Sequence, residues 1–310
     1  MDTRSAQGYG FGMANNMIPN KAQTPDPVLE ALLPEVIEIA RESGNILMRH
    51  FKRHRSGRPV AVQTKDDNSP VTIADHESSA YLVDALERLT PFYPVVSEEN
   101  DFDPLKEGVE DFWAIDPLDG TKEFIAGSSG FSNKITLIRG GHPQLAVIYC
   151  PVQNVLFDTL ENDKARKTDR SGTVKNMQTK YMYGSGKLVT LFNSKSGDLN
   201  LYREWRKALA QRDLTLPVRP KGKPGLPRNL RVAEGLADIY LSFGHSASKI
   251  KGAAWVWDIA GDDLILRNAG GGLVHLHNGK PPVYTNPREI LPAYVGYGCH
   301  IIRYRMFGPV

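Results

Sequence analysis

Asp116-Pro117-Leu118-Asp119-Gly120-Thr121 is the stretch on which the reading of this chain turns. Two carboxylates flank a proline and a leucine, and a glycine and a hydroxyl follow. The preceding run, Phe112-Trp113-Ala114-Ile115, is apolar and aromatic and predicts a buried strand. Lys122-Glu123-Phe124, just after it, predicts a helix start. Both aspartates are therefore expected where a strand gives way to a helix. Such a junction can hold a hard cation and also offer helix N–H groups to an anion. An ordinary turn with a capping aspartate has the same composition, so this stretch alone leaves both readings open.

Two other segments change the weighting. Val95-Val96-Ser97-Glu98-Glu99 ends an apolar run with paired acids. Trp255-Val256-Trp257-Asp258-Ile259-Ala260-Gly261 sets a lone aspartate at the head of a long apolar stretch. Glu98, Asp116, Asp119 and Asp258 thus come from three separated segments, each at the edge of an apolar run. Unpaired carboxylates at buried strand ends are costly without a cation. Mg²⁺ is usually held by few carboxylates, with water and substrate phosphate completing its shell. Paired metals roughly 3.5–4 Å apart can clamp the attacking and leaving oxygens of a phosphoryl displacement. Asp258 taken alone also reads as a plain helix N-cap.

The rest of the chain alternates strand-like and helical patterns. Leu33, Val36, Ile37, Ala40, Leu47 and Phe51 recur at helical spacing, predicting an amphipathic helix over 27–53. A second helix is expected from near Asp75, with Leu82, Leu86 and Leu89 on one face. Residues 133–139, 144–150 and 154–160 read as successive antiparallel strands, with Gly140-Gly141 as a turn. The polar, basic stretch from Glu161 to Tyr183 reads as a solvated loop or extended hairpin. Leu188–Phe192 and Ala237–Leu241 are strand-like, and 198–211 is helical. A further helix is expected from Asp258 to about Ala269, stopped by Gly270-Gly271-Gly272. Such alternation implies packed layers of both element types. The expected organisation is a flexible extension over 1–26, a metal-binding α+β subdomain over 27–183, and an α/β subdomain over 184–310 that completes the site.

Composition narrows the function. The chain has 310 residues, is 41% hydrophobic and carries a net charge of +3, too small to argue for a nucleic-acid partner. No apolar run approaches the roughly 20 residues of a membrane span, and residues 1–25 show no signal-peptide core. Cys150 and Cys299 lie in apolar surroundings and read as buried free thiols. A cytoplasmic setting is the resulting expectation. His275 and His277 alternate along an expected strand, but no cysteine or acid joins them or His245 and His300 at zinc spacing, so structural or surface roles are expected.

The ordered set Glu98-Glu99, Asp116 to Thr121 and Trp257-Asp258 resembles the inositol monophosphatase superfamily of metal-dependent, lithium-sensitive phosphatases. Lys65-Asp66-Asp67-Asn68-Ser69-Pro70-Val71-Thr72-Ile73-Ala74-Asp75, the run Asp119 to Ile125, Ala146 to Val152 and Val232 to Gly235 are similar to its bacterial 3′(2′),5′-bisphosphate nucleotidase branch. The resemblance runs from about Val28 to about Tyr297. It implies the sugar-phosphatase fold, a layered α-β-α-β-α sandwich of two subdomains with the site between them. It implies two or three Mg²⁺ ions, held by Glu98, Asp116, Asp119, Asp258 and the Leu118 carbonyl. It places Glu99, Asp75 and Thr121 behind these ligands, the hydroxyl of Thr121 taking a proton from the attacking water. Asp67 would help with a further metal and orient that water.

The same resemblance implies that the substrate phosphate sits over the Gly120 and Thr121 N–H groups. The implied reaction is removal of the 3′-phosphate of adenosine 3′,5′-bisphosphate, giving AMP, by metal-activated water. Ser194 and Arg231 are the implied nucleotide contacts, Arg231 standing where the family usually has a lysine. Two features depart from the pattern. The stretch between Phe243-Gly244 and Trp257-Asp258 is longer, with Lys249 and Lys251 in it, and Lys134 replaces a small polar residue. The rival expectations are an inositol or other sugar monophosphatase and a catalytically silent binding relative. The expected partner is a small phosphorylated molecule, most simply a nucleotide, bound by a monomer or homodimer.

Overall fold

Strand Phe112–Asp119 shows how the layers arise. Its alternate side chains enter two different cores: Phe112 and Ala114 join one, Trp113 and Ile115 the other. A strand buried on both faces reads as a continuous apolar run, which is the pattern found in the sequence. The structure, a computed structural model, describes residues 26–58, 60–65, 70–102, 108–180, 188–192, 199–211, 227–243, 254–286 and 288–308.

In chain order the elements are α1 (Pro27–Arg55), β1 (Val62–Thr64), β2 (Pro70–Thr72), α2 (Ile73–Leu89), β3 (Val95–Ser97), β4 (Phe112–Asp119), α3 (Thr121–Ile125), β5 (Ser132–Arg139), β6 (His142–Cys150), β7 (Val155–Leu160), β8 (Arg166–Thr168) and β9 (Val174–Asn176). Then come β10 (Thr190–Phe192), α4 (Leu199–Ala210), α5 (Arg228–Ala233), β11 (Ile239–Ser242), β12 (Ala254–Trp255), α6 (Val256–Asn268), β13 (Gly272–His275), β14 (Ile290–Leu291), β15 (Tyr294–Tyr297) and α7 (His300–Phe307).

A seven-stranded sheet runs in the order β3-β4-β5-β6-β7-β8-β9, and a four-stranded sheet in the order β10-β11-β15-β13. Helices α1 and α2 cover one face of the larger sheet through Leu33, Val36, Leu82 and Leu86 against Trp113, Ile135 and Val147. Helices α5 and α6 fill the space between the sheets, with Leu264 and Ile265 in the core that also holds Ala146, Ile148, Tyr240 and Leu273. The far face of the smaller sheet, with Ile239, Leu241 and Val295, is closed by Leu209 of α4 and by Ile302 and Met306 of α7. The order of layers is α-β-α-β-α, as the sequence led one to expect.

Helix α6 is buried nearly all round, from Val256 to Leu266, as a helix between two sheets must be. Gly261 permits that depth, because a Cβ there would lie 2.6 Å from Thr136 Oγ1 of β5. The stretch from Glu161 resolves as the β8–β9 hairpin, which extends the large sheet. The expected domain boundary near 183 and 184 lies outside the described residues, as do Asp67, Ser194, His245, Lys249 and Lys251. Cys150 and Cys299 are free and buried. Among the described residues no helix is long and apolar enough to cross a membrane.

Candidate active site

The aspartates of the opening stretch lie where strand meets helix, as expected, and the strand itself runs on to carry them. Strand β4 runs on to Asp119 with a bulge: Asp116 pairs with Lys134 and Asp119 with Ser132, so β4 spends one residue more than β5. Pro117, which has no N–H to give to the ladder, falls inside the bulge, where such a residue is tolerated. Side chains alternate along a strand, so residues three apart would normally face opposite ways. The extra residue cancels that offset. Asp116 and Asp119 therefore share the face that Phe112 and Ala114 turn toward α6.

Glu98 arrives from the neighbouring strand. Ser97 of β3 pairs in parallel with Ile115 of β4, and the Glu98 N–H donates to the Ile115 carbonyl at 3.2 Å, which sets Glu98 beside Asp116. Asp258 comes from the first turn of α6. It is the third residue of that helix rather than its N-cap, and its Oδ2 accepts the Trp255 N–H at 2.7 Å. Asp258 thus braces the helix start while standing near the other acids.

The charges feel one another. Burial, and then the negative charges of Glu98, Asp119 and Asp258, hold the Asp116 carboxyl well above the usual carboxylate range. Burial and Glu98 push Asp258 up to about 7. Burial likewise raises Glu98, against the pull of Lys65. Such a group of buried oxygen donors, raised together by burial and mutual repulsion, calls for positive charge.

Two lysines supply some of it. Lys65 Nζ donates to Glu98 Oε1 at 2.8 Å and Glu99 Oε1 at 2.6 Å. Lys134 Nζ is ion-paired with Asp119 Oδ2 at 3.0 Å and Asp262 Oδ1 at 3.5 Å, and donates to the Asp258 carbonyl. Burial alone would lower the Lys134 ammonium, but Asp119, Asp262, Asp258 and Asp116 hold it well above its ordinary value. Sequence reading quoted Lys65 without assigning it a role, treated Lys134 only as a departure, and missed Asp262. The one available signal for Asp262 was its i,i+4 spacing from Asp258, which puts both on one face of α6.

Behind these acids lies a second group. Asp75 is buried and accepts from the Thr72 N–H at 2.8 Å, the Thr72 hydroxyl at 2.7 Å and the Thr121 hydroxyl at 3.1 Å. The Thr121 hydroxyl also lies 3.2 Å from the Leu118 carbonyl. Burial raises Asp75 despite these bonds. Glu99, with a side chain only 4% exposed, is pushed by burial up to about 7.

Helix α3, expected only as a helix start, covers five residues, Thr121–Ile125. Its dipole is correspondingly small, so any anion here would depend on the individual N–H groups that a helix start leaves without partners. Gly120 has φ 99°, and a Cβ on it would lie 2.7 Å from the Gly130 carbonyl. Glycine is thus demanded by the protein's own backbone, quite apart from any ligand.

Arg231 lies on α5, with its Nε buried and no hydrogen-bond partner among the described residues. No described contact brings it to the acids. His275 and His277 have ring centroids 5.7 Å apart, with no metal-ready group around them among the described residues.

The donors Glu98, Asp116, Asp119, Asp258 and the Leu118 carbonyl are all hard oxygens, the kind Mg²⁺ takes. Among the described residues no three acids stand together in an arrangement ready to enclose a metal.

Hard oxygen donors at a strand-to-helix junction are what a phosphate-handling class of site requires. Residues 28–303 match the inositol monophosphatase family model. The 3′(2′),5′-bisphosphate nucleotidase CysQ of Escherichia coli (strain K12) is 34% identical over 265 residues, covering 83% of this chain and 95% of that protein. CysQ of Haemophilus influenzae is 30% identical over 282 residues, covering 87% and 93%. Among solved structures, CysQ from Bacteroides thetaiotaomicron aligns with a TM-score of 0.65 at 24% identity, covering 88% of this chain and 99% of that one. The Thermotoga maritima IMPase aligns at 0.66 and 20%, covering 89% and 95%. The chain belongs to the inositol monophosphatase family, and its kinship with the bisphosphate nucleotidases, expected from the motifs, is borne out.

Proposed function

We propose that this chain is a Mg²⁺-dependent phosphoric monoester hydrolase that removes the 3′-phosphate of adenosine 3′,5′-bisphosphate to leave AMP. The observation that carries the reading is the bulge in β4, which turns Asp116 and Asp119 to the same face, toward Glu98 and Asp258. Kinship with curated nucleotidases along nearly their whole length supports the substrate class.

Glu98, Asp116, Asp119, Asp258 and the Leu118 carbonyl would hold the metal. When bound, Mg²⁺ supplies neutralisation of phosphate charge and acidification of a water. The chain's own residues do the rest. Thr121 Oγ1 gives its proton to Asp75 Oδ1, which leaves its lone pairs free to receive a proton from the attacking water. Burial raises the Asp75 carboxyl above its ordinary value, which eases its uptake of that proton. Glu99, pushed up by burial to about 7, stands beside this path as a second acceptor. The N–H groups of Gly120 and Thr121 face the transferring phosphate, and attack proceeds in line with the departing sugar oxygen. Arg231, with an unpartnered Nε, binds the 5′-phosphate that is not transferred. Asp67 and Ser194 keep the metal and nucleotide roles implied by the motifs, and the subdomains 27–183 and 184–310 meet at the acids.

The test is phosphate release from adenosine 3′,5′-bisphosphate and from inositol 1-phosphate, each with Mg²⁺ and with chelator. The nucleotide should be used far faster, and only with metal. Preference for inositol 1-phosphate would make the chain a sugar monophosphatase. No metal-dependent turnover of either would mark it as a silent relative.

A further inference from the structure

Lys134 is 4% exposed and lies opposite Asp116 in the register between β4 and β5. Its ammonium donates to the Asp258 carbonyl and is ion-paired with two carboxylate oxygens, Asp119 Oδ2 at 3.0 Å and Asp262 Oδ1 at 3.5 Å. Of these three partners, two belong to residues of the proposed metal-binding set. The third, Asp262, serves the lysine, and Asn229 Nδ2 of α5 holds its other oxygen at 3.0 Å. A cation in this position has the partners that a hard metal ion would otherwise seek. It is tethered between a central strand and a helix buried on all sides, so it has no route into solvent.

We infer that Lys134 is a built-in cation: its ammonium permanently occupies the Asp119–Asp258 end of the acid cluster, and the site takes one divalent ion fewer than the cluster would otherwise hold. The inference rests on the metal-dependent reading given above. The charges agree with it. Lys65 faces the opposite end, bound to Glu98 and Glu99, so a divalent ion would be held between the two ammoniums, by Glu98 and Asp116.

The test counts bound ions and does not depend on turnover. Equilibrium dialysis with Mn²⁺ alone is run on the wild type and on Lys134→Ser and Lys134→Asn, each placing a small polar group in the same space. Both variants should bind one more Mn²⁺ per chain than the wild type. An unchanged, non-zero count would overturn the inference and leave the metal-dependent reading standing. No binding by any of the three would overturn both. Should the variants be poorly folded without metal, thermal melts over a Mn²⁺ titration decide the matter. The variants should gain melting temperature more steeply than the wild type, and parallel curves would overturn the inference.

Discussion

The two ends of the acid cluster are neutralised by lysines in contrasting settings. Lys65 follows the exposed strand β1, and its side chain is 22% accessible. Lys134 comes from the central strand β5, and its side chain is 5% accessible. Both ammoniums touch carboxylates at close range, yet removing each should have different consequences. A lysine near solvent can swing away and rehydrate, so its ion pairs are exchangeable and contribute little net stability. A buried one cannot rehydrate, and deleting it leaves carboxylates buried with no counter-charge. The difference shows that one kind of ion pair can be exchangeable at one end of a site and fixed at the other.

The largest effect should fall on the residue between those ends. Asp116→Asn removes the carboxylate flanked by Glu98, Asp119 and Asp258, and should lower metal-dependent phosphate release on the order of 10³-fold, about 4 kcal/mol. Near-normal release would mean that neither end of the cluster matters to the chemistry.

Next, Lys134→Ser should destabilise the metal-free chain by about 3–5 kcal/mol, measured by denaturant unfolding in chelator. Lys65→Ser should cost less, about 1–2 kcal/mol, because Lys65 and its partner Glu98 reach water although Glu99 does not. Equal costs would erase the contrast between the lysines.

Arg231→Ala sharpens a different boundary, between the acids and the nucleotide contacts. It should weaken kcat/KM for adenosine 3′,5′-bisphosphate by roughly 1.5–3 kcal/mol, the worth of a charge-assisted hydrogen bond. A nucleotide with only the 3′-phosphate should be nearly unaffected. Equal losses on the two substrates would place Arg231 with the fold or the reacting phosphate.

The smallest effect is a pH slope. Glu99 and Asp258 are each pushed by burial up to about 7 from ordinary values of 4.5 and 3.8. The folded chain thus binds their protons more tightly than the unfolded one. Their stabilising contribution is complete below the ordinary values and is lost as pH rises through about 7. Melting temperature in chelator should therefore decline across that window. Saturating Mg²⁺ should flatten the decline, since bound metal favours the ionised forms. A metal-free melting temperature that rises over the same window would contradict the buried, electrostatically strained cluster.

The acids themselves were legible because each stands at the edge of an apolar run. Phe112–Ile115, Val95-Val96 and Val256–Ile259 are the strands and helix that carry Asp116, Glu98 and Asp258, and periodicity finds such elements wherever one or both faces are buried. That both element types pack in layers was legible for the same reason, while the α-β-α-β-α order came from the family resemblance. Less visible was anything that depends on register. The bulge at Pro117 is a single extra residue, and no local pattern distinguishes it from the turn that was expected there. Nor does any local pattern reveal that the Gly130 carbonyl lies where a Cβ on Gly120 would be.

By itself, the sequence determined which elements form, which carboxylates they deliver and to which family the motifs point, because hydrophobic periodicity and short motifs are local properties of the chain. Only the tertiary structure decided which charges meet. Lys134 and Asp119 are near in sequence but lie on different strands, and Asp262 and the Asp258 carbonyl belong to a helix more than a hundred residues further on. Their convergence on one ammonium depends on strand register and on how deeply α6 settles between the sheets. Those are packing outcomes of the whole chain, and no window of sequence contains them.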